Sequence, residues 1–195
     1  MRRFAALAIG IFLLPSSGYP FLSLKGGGYI GTGEMLDAPI VGVEYGQSVN
    51  GIIPSGSVFY IQQYFPSGSL PRGKITLVPA IFSLYSDIRV KEFSIHAGGG
   101  VGFGFVDYKM GWEQELINSL GVEDVKVDLE DAPIFTARVG VERKYPGVSV
   151  GIEFFYMWMS ARFTTVRINR YIFERHFQEG YVDLGGILGS IFVKF

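Results

Sequence analysis

From Val148 to Arg162 the side chains alternate between two kinds. Val150, Ile152, Phe154, Tyr156 and Trp158 share one parity, and Ser149, Gly151, Glu153, Phe155 and Met157 share the other. Successive side chains of a strand point to opposite faces, so this period of two specifies a β-strand with two different faces. The same pattern runs through Pro133 to Arg143, where Phe135, Ala137, Val139 and Val141 oppose Thr136, Arg138, Gly140 and Glu142. In Glu92 to Val106, Phe93, Ile95, Ala97, Val101 and Phe103 oppose Ser94, His96, Gly98, Gly100, Gly102 and Gly104. A soluble barrel also alternates, but it turns a charged face to water, and neither face here is of that kind. The continuously apolar face is therefore expected to meet lipid. The mixed face, with a few charges among glycines, suits a narrow lumen in which opposite charges pair.

In hydrocarbon an open sheet edge would leave backbone amides unsatisfied at several kcal/mol each, so the sheet has to close. The expected fold is all-β: a closed antiparallel transmembrane β-barrel of about eight strands with up-and-down topology. Strands are predicted over Phe21 to Gly33, Pro39 to Val49, Val58 to Phe65, Lys74 to Tyr85, Glu92 to Val106, Pro133 to Arg143, Val148 to Arg162 and Tyr181 to Phe195. Asn50-Gly51, Pro54-Ser55-Gly56, Pro66-Ser67-Gly68, Pro71-Arg72-Gly73 and Lys144-Tyr145-Pro146-Gly147 carry the turn chemistry between them. Pro79 inside the fourth strand predicts a bulge. With the C-terminus in the periplasm, the long connections Asp107 to Ala132 and Phe163 to Gly180 fall outside and the short Lys144 to Gly147 turn inside. Within the first of these, Trp112 to Leu120 has helical spacing, as a loop ornament on the barrel mouth. Tyr85, Phe93 and Tyr145 near one end, and Phe105, Tyr108, Phe135 and Trp158 near the other, fit interfacial girdles.

The N-terminus has the form of an export signal. Met1-Arg2-Arg3 is a basic start, Phe4 to Leu14 an apolar run, and Ser16-Ser17-Gly18 a small-residue cleavage site, giving a signal peptide at 1–18 and a barrel domain at 19–195. The apolar run is too short to cross about 30 Å of hydrocarbon as a helix. The net charge is −1, or −3 without Arg2 and Arg3, too small to imply a nucleic-acid partner. With no cysteine, disulfide scaffolds, thiolate metal sites and cysteine nucleophiles are excluded.

The last strand carries the most specific pattern: Gly189, Ile191, Val193 and Phe195 alternate, and Phe195 is the final residue. This resembles the C-terminal signal read by the outer-membrane insertion machinery, with Ile191, Val193 and Phe195 as its residues. The run from Ile75 to Val106, with Pro79, a central turn and the segment AGGGVGFGF, is similar to the middle hairpin of small barrels of the OmpW and OmpA membrane-domain type. The resemblance implies an outer-membrane location in a diderm bacterium, outer-membrane lipid around a monomer, and a porin-like or OmpW-like route for a small hydrophobic ligand.

Inward parity is assigned to Lys25, Glu44, His96, Arg138 and Glu153, an expected polar network in the lumen. Eight strands leave an interior just wide enough for side chains, which favours structural pairing over conduction. The same parity is given to Phe82, Leu84, Leu184, Leu188 and Phe192, an apolar stretch of lumen that a shift by one residue would turn outward. Ser94, His96 and Glu153 superficially offer the parts of a hydrolase triad, but the His-x-Ser order of barrel lipid deacylases is lacking, and a lipid hydrolase would need its triad on the outward face. Loop three is acidic, with Glu113, Glu115, Glu123, Asp124, Asp128, Glu130 and Asp131, and loop four carries Arg167, Arg170, Arg175 and His176. Neither has metal-loop spacing. The expectation is a protein without catalytic, cofactor or metal sites, with a structural role or passive binding or passage of small hydrophobic molecules. The alternatives are a barrel lipid-modifying hydrolase and a secreted lipocalin-like ligand carrier.

Overall fold

At one end of the molecule the chain reverses within two residues, three times. Asn50 and Gly51 both take positive φ (51° and 81°), the mirror-image turn whose twist matches that of the strands it joins. Lys91 (φ 56°) and Gly147 (φ 80°) serve the other two reversals. The opposite end carries the longer connections. We refer to these as the turn end, which also holds Tyr19 and Phe195, and the loop end.

The computed structural model describes residues 19–32, 36–65, 70–111, 116–118, 120–121, 123–169 and 174–195. The strands are β1 (Tyr19–Gly31), β2 (Ala38–Ser48), β3 (Ile52–Phe65), β4 (Gly73–Val90), β5 (Phe93–Met110), β6 (Glu123–Leu129), β7 (Ala132–Tyr145), β8 (Val148–Asn169), β9 (Glu174–Asp183) and β10 (Gly186–Lys194). Eight of them close a ring in the order β10-β1-β2-β3-β4-β5-β7-β8, with β8 returning to β10, each pair antiparallel. The seam is fastened to its last residue, since Leu22 and Phe195 exchange both backbone hydrogen bonds. A closed ring leaves no edge along the barrel wall.

Above the ring, toward the loop end, β8 continues alone and recruits new partners. Leu129 to Glu123 of β6 pair with Phe163 to Asn169, and β9 pairs with Ser160 to Asn169 on the other side. Most of what composition marks as the third and fourth external loops is therefore a three-stranded leaf, β6-β8-β9. Its inner face is apolar at Val125, Phe163 and Val182, and its outer face carries Lys126, Asp128, Arg162 and Glu179. Read as a bare charge count, such a segment resembles a solvated loop; read by alternation, it is a strand with one wet face. Of the stretch Trp112 to Leu120, one helical turn at 116–118 is described, and Trp112 lies outside the described residues, as do Glu113, Glu115 and Arg170. The signal segment 1–18 also lies outside them.

Pro79 produces no bulge. Ladder pairing between β3 and β4 lapses beside it and resumes in unchanged register, Val58 opposite Ala80 and Ile61 opposite Leu77. The missing N–H costs local pairing, and no extra residue enters the strand.

Inward and outward residues alternate all round the ring. Outside lies a belt of exposed apolar side chains that includes Leu24, Val43, Val58, Val101, Val139, Phe154 and Ile191. Phe82 and Leu84, expected in the lumen, belong to this belt at 42% and 51% exposure. The inward residues of β4 are Ile75, Leu77, Pro79, Ile81, Ser83 and Tyr85. Both faces of this strand are apolar and no charge between Ile75 and Ser86 fixes its parity, so a slip of one residue goes unnoticed in the sequence.

The loop half of the lumen is filled by one apolar cluster that includes Ile40, Phe59, Ile61, Leu77, Ile134, Phe155, Met157, Leu184 and Leu188. Glycine makes room where the wall and a large side chain compete: a Cβ on Gly42 would sit 2.5 Å from the Phe59 ring. Tyr29 is 1% exposed and its hydroxyl donates to the carbonyls of Leu184 and Gly185 at 3.0 and 2.7 Å, at the break between β9 and β10. Tyr29→Phe is expected to cost about 1–1.5 kcal/mol, read as a lower urea midpoint of the folded barrel.

Candidate functional site in the barrel lumen

Midway along the lumen, four charges from four strands meet. Lys25 (β1) lies between Glu44 (β2) and Glu153 (β8): its ammonium is 2.6 Å from Glu44 Oε2 and is also paired with Glu153 Oε1. Arg138 (β7) spans the same two carboxylates from the other side, Nη1 on Glu44 Oε1 and Nη2 on Glu153 Oε2, each at 2.6 Å. The charges alternate in sign around a closed circuit, and every member side chain is at most 2% exposed. Removing such ions from water costs several kcal/mol apiece, which only well-made hydrogen bonds and opposite charges offset. The Ser190 hydroxyl supplies one more bond, donating to Glu153 Oε1 at 3.0 Å.

Aromatic rings wall the layer on both sides. The Arg138 guanidinium carbon lies 4.0 Å from the Tyr85 ring centre, and the Lys25 ammonium 4.9 Å from that of Phe155. Both cations thus meet ring faces that favour positive charge. His96 (β5) sits between Tyr85 and Phe192, with Nε2 3.8 Å from Glu153 Oε2. Gly140 is what lets it fit, because a Cβ there would collide with the His96 ring.

All five polar residues assigned to the lumen from sequence, Lys25, Glu44, His96, Arg138 and Glu153, are brought together here. Of the apolar set, Leu184, Leu188 and Phe192 are buried inside, while Phe82 and Leu84 face out. Ile191 and Phe195 are exposed on the outer face beside the β1–β10 seam, at 62% and 61%, and Val193 shares that face. Tyr85, expected in an interfacial girdle, is instead buried against Arg138. Ser190 and a second polar group nearer the turn end went unread in the sequence. In that group Glu142 pairs with Lys194 and with Lys144 at 3.5 Å, Lys144 pairs with Asp87 at 2.9 Å, and the Ser94 hydroxyl donates to Asp87. Parity alone could have found it, since Glu142 shares a face with Arg138, and Lys194 with Phe192. Asp87, Glu142, Lys144 and Lys194 of this group border a cavity of about 380 Å³ that opens at the turn end.

The parts of a hydrolase triad are not assembled. The Ser94 hydroxyl is directed to Asp87, His96 faces Glu153, and both are buried inside the lumen. Among the described residues no group of three or more His, Asp or Glu side chains is arranged to hold a metal ion.

Beyond the apolar belt, among the described residues, Tyr108 and Arg162 are shifted from their ordinary ranges. Burial pushes the Tyr108 phenol up to about 12, and its hydroxyl donates to the Pro71 carbonyl at 2.7 Å. Its outward neighbours in β5, Asp107 and Lys109, put this position beyond the apolar belt. Arg162 on the leaf is raised by its hydrogen bond to Glu179 at 2.7 Å.

No family model matches the sequence, and neither does any curated protein. Among solved structures the chain is similar to the outer membrane protein OprG from Pseudomonas aeruginosa, with a TM-score of 0.72 and 11% identity over 90% of this chain and 95% of that one. It is also similar to Neisserial surface protein A (NspA), with a TM-score of 0.57 and 11% identity over 92% of this chain and 96% of that one. The fold is that of the small outer-membrane β-barrels, a closed antiparallel ring of eight strands.

Proposed function

We propose that this protein is a monomeric outer-membrane barrel of a diderm bacterium that is sealed to through-passage and acts structurally, through the surfaces it presents. The observation that carries the reading is the filled lumen. The Lys25–Glu44–Arg138–Glu153 layer closes its middle, and the cluster around Phe155, Met157 and Leu188 occupies its loop half. The exposed apolar belt supports the membrane setting, since a soluble lipocalin-like carrier would turn polar residues outward and keep its interior free for a ligand. Export by the 1–18 signal, and assembly through Ile191, Val193 and Phe195, belong to the same proposal.

The test is conductance. Purified barrel reconstituted in planar bilayers is expected to give no unit conductance steps, with a general porin as positive control. Steady channels at neutral pH would overturn the sealed-barrel reading.

Binding of a small hydrophobic molecule in the loop half is a second reading, favoured by one observation. Past Gly104, where the β5–β7 ladder ends, the Val106 amide donates instead to Asp131 Oδ1, beside the apolar cluster against which Val106 packs. Co-purification of an apolar molecule, lost on Met157→Trp in a barrel that still folds, would support it.

A further inference from the structure

On β3, β4 and β5 the outward side chains are apolar up to Tyr60 and the pair Val78 and Phe105, then turn polar toward the loop end. Register fixes the rows that follow: Gln62 opposite Thr76 opposite Asp107, and then Tyr64 opposite Lys74 opposite Lys109. Lys74 and Lys109 are thus direct cross-strand neighbours of the same sign on the outer face. Directly opposite residues have Cβ atoms about 5 Å apart, and like charges at that spacing are destabilising. Asp107 lies on the diagonal from Lys74, yet among the described residues neither lysine forms an ion pair or hydrogen bond. Tyr64, at 72% exposure, ends the row with its ring and hydroxyl.

We propose that Lys74 and Lys109, with Tyr64 beside them, bind the phosphorylated headgroup of an outer-leaflet lipid. The ladder sets the two lysines directly opposite each other, so that one phosphate is within reach of both ammonium groups, and an anion between them turns a repulsion into two attractions. Their height is the second support. The pair lies one row beyond Gln62, Thr76 and Asp107 and two rows past the last apolar row, at the height of headgroups, so a lipid seated there lays its acyl chains on Phe105, Val78 and Tyr60. A free anion gains no such contact and is screened by salt. The inference rests on the membrane reading above, with the loop end at the outer leaflet.

The experiment uses the folded full-length barrel in non-ionic detergent, with gel migration before and after heating as the check on folding. Native mass spectrometry then follows binding of a bis-phosphorylated acylated disaccharide lipid, its dephosphorylated counterpart, and inorganic phosphate as competitor. The native protein is expected to bind the phosphorylated lipid, and Lys74→Gln with Lys109→Gln to bind it about thirtyfold more weakly, from about fivefold per lysine. Lys74→Arg with Lys109→Arg is expected to retain binding. Equal binding by the glutamine variant, or of the dephosphorylated lipid, would overturn the proposal. So would displacement of the lipid by inorganic phosphate at millimolar concentration, which would make this a free-anion site. Failure of the membrane reading would be seen separately, as migration that heating does not change.

Discussion

Glu153→Ala is expected to destabilise the folded barrel by about 3–5 kcal/mol, the cost of leaving buried charge without its partner. The measurement is urea unfolding from lipid vesicles, followed by tryptophan fluorescence and by heat-dependent gel migration. Glu153 pairs with both Lys25 and Arg138, accepts from Ser190, and lies beside His96, so its loss unbalances the whole circuit. Restoring neutrality distinguishes this cause from a simple cavity. Combining Lys25→Met with Glu153→Gln leaves Glu44 paired with Arg138, and the double variant should cost about 1–3 kcal/mol less than the sum of its single changes. A midpoint for Glu153→Ala within experimental error of the native one would mean that water reaches the layer and that the lumen is not sealed there.

Phe82→Arg is expected to cost about 2–4 kcal/mol, the penalty for arginine near the bilayer midplane on the lipid face of a barrel. Thr76→Arg, six residues along the same face and beyond the apolar belt, should cost about 0–1 kcal/mol. The contrast depends on depth alone, because both side chains point outward from β4. If Phe82 faced the lumen, its replacement would meet the ion circuit, and Ser83 would face outward and accept an apolar residue without loss. Equal costs at Phe82 and Thr76 would sink both the depth assignment and the register of this strand.

The two predictions divide along the line between what the sequence discloses and what it hides. A charge in an otherwise apolar, alternating strand cannot face hydrocarbon, so Lys25, Glu44, Arg138 and Glu153 report the parity of β1, β2, β7 and β8 directly. β4 has no such marker from Ile75 to Ser86, and its sequence pattern therefore leaves open the side that Phe82 and Leu84 take, which in the structure is the outer one. The β6-β8-β9 leaf was hidden differently. Its outer face is as charged as a loop, and only the inward Val125, Phe163 and Val182 betray a strand. Position near a strand end cannot tell an interfacial ring from one stacked on a buried guanidinium, which is the place Tyr85 takes. Partner choice within the circuit was also out of reach, since it depends on which strands the closed ring makes neighbours.

The circuit joins parts of the chain that are far apart in sequence: 128 residues separate Lys25 from Glu153, and 94 separate Glu44 from Arg138. Each hairpin carries one pair of its own, Lys25 with Glu44 on β1 and β2 and Arg138 with Glu153 on β7 and β8, but the Lys25–Glu153 and Glu44–Arg138 pairs need the first two strands and the last three to have come round to one another. A half-built sheet would hold two separate ion pairs, each member lacking its second partner. The layer is thus a clasp between the two ends of the sheet. Closure of the wall joins the two hairpin pairs, so that it and the completion of the circuit become a single event.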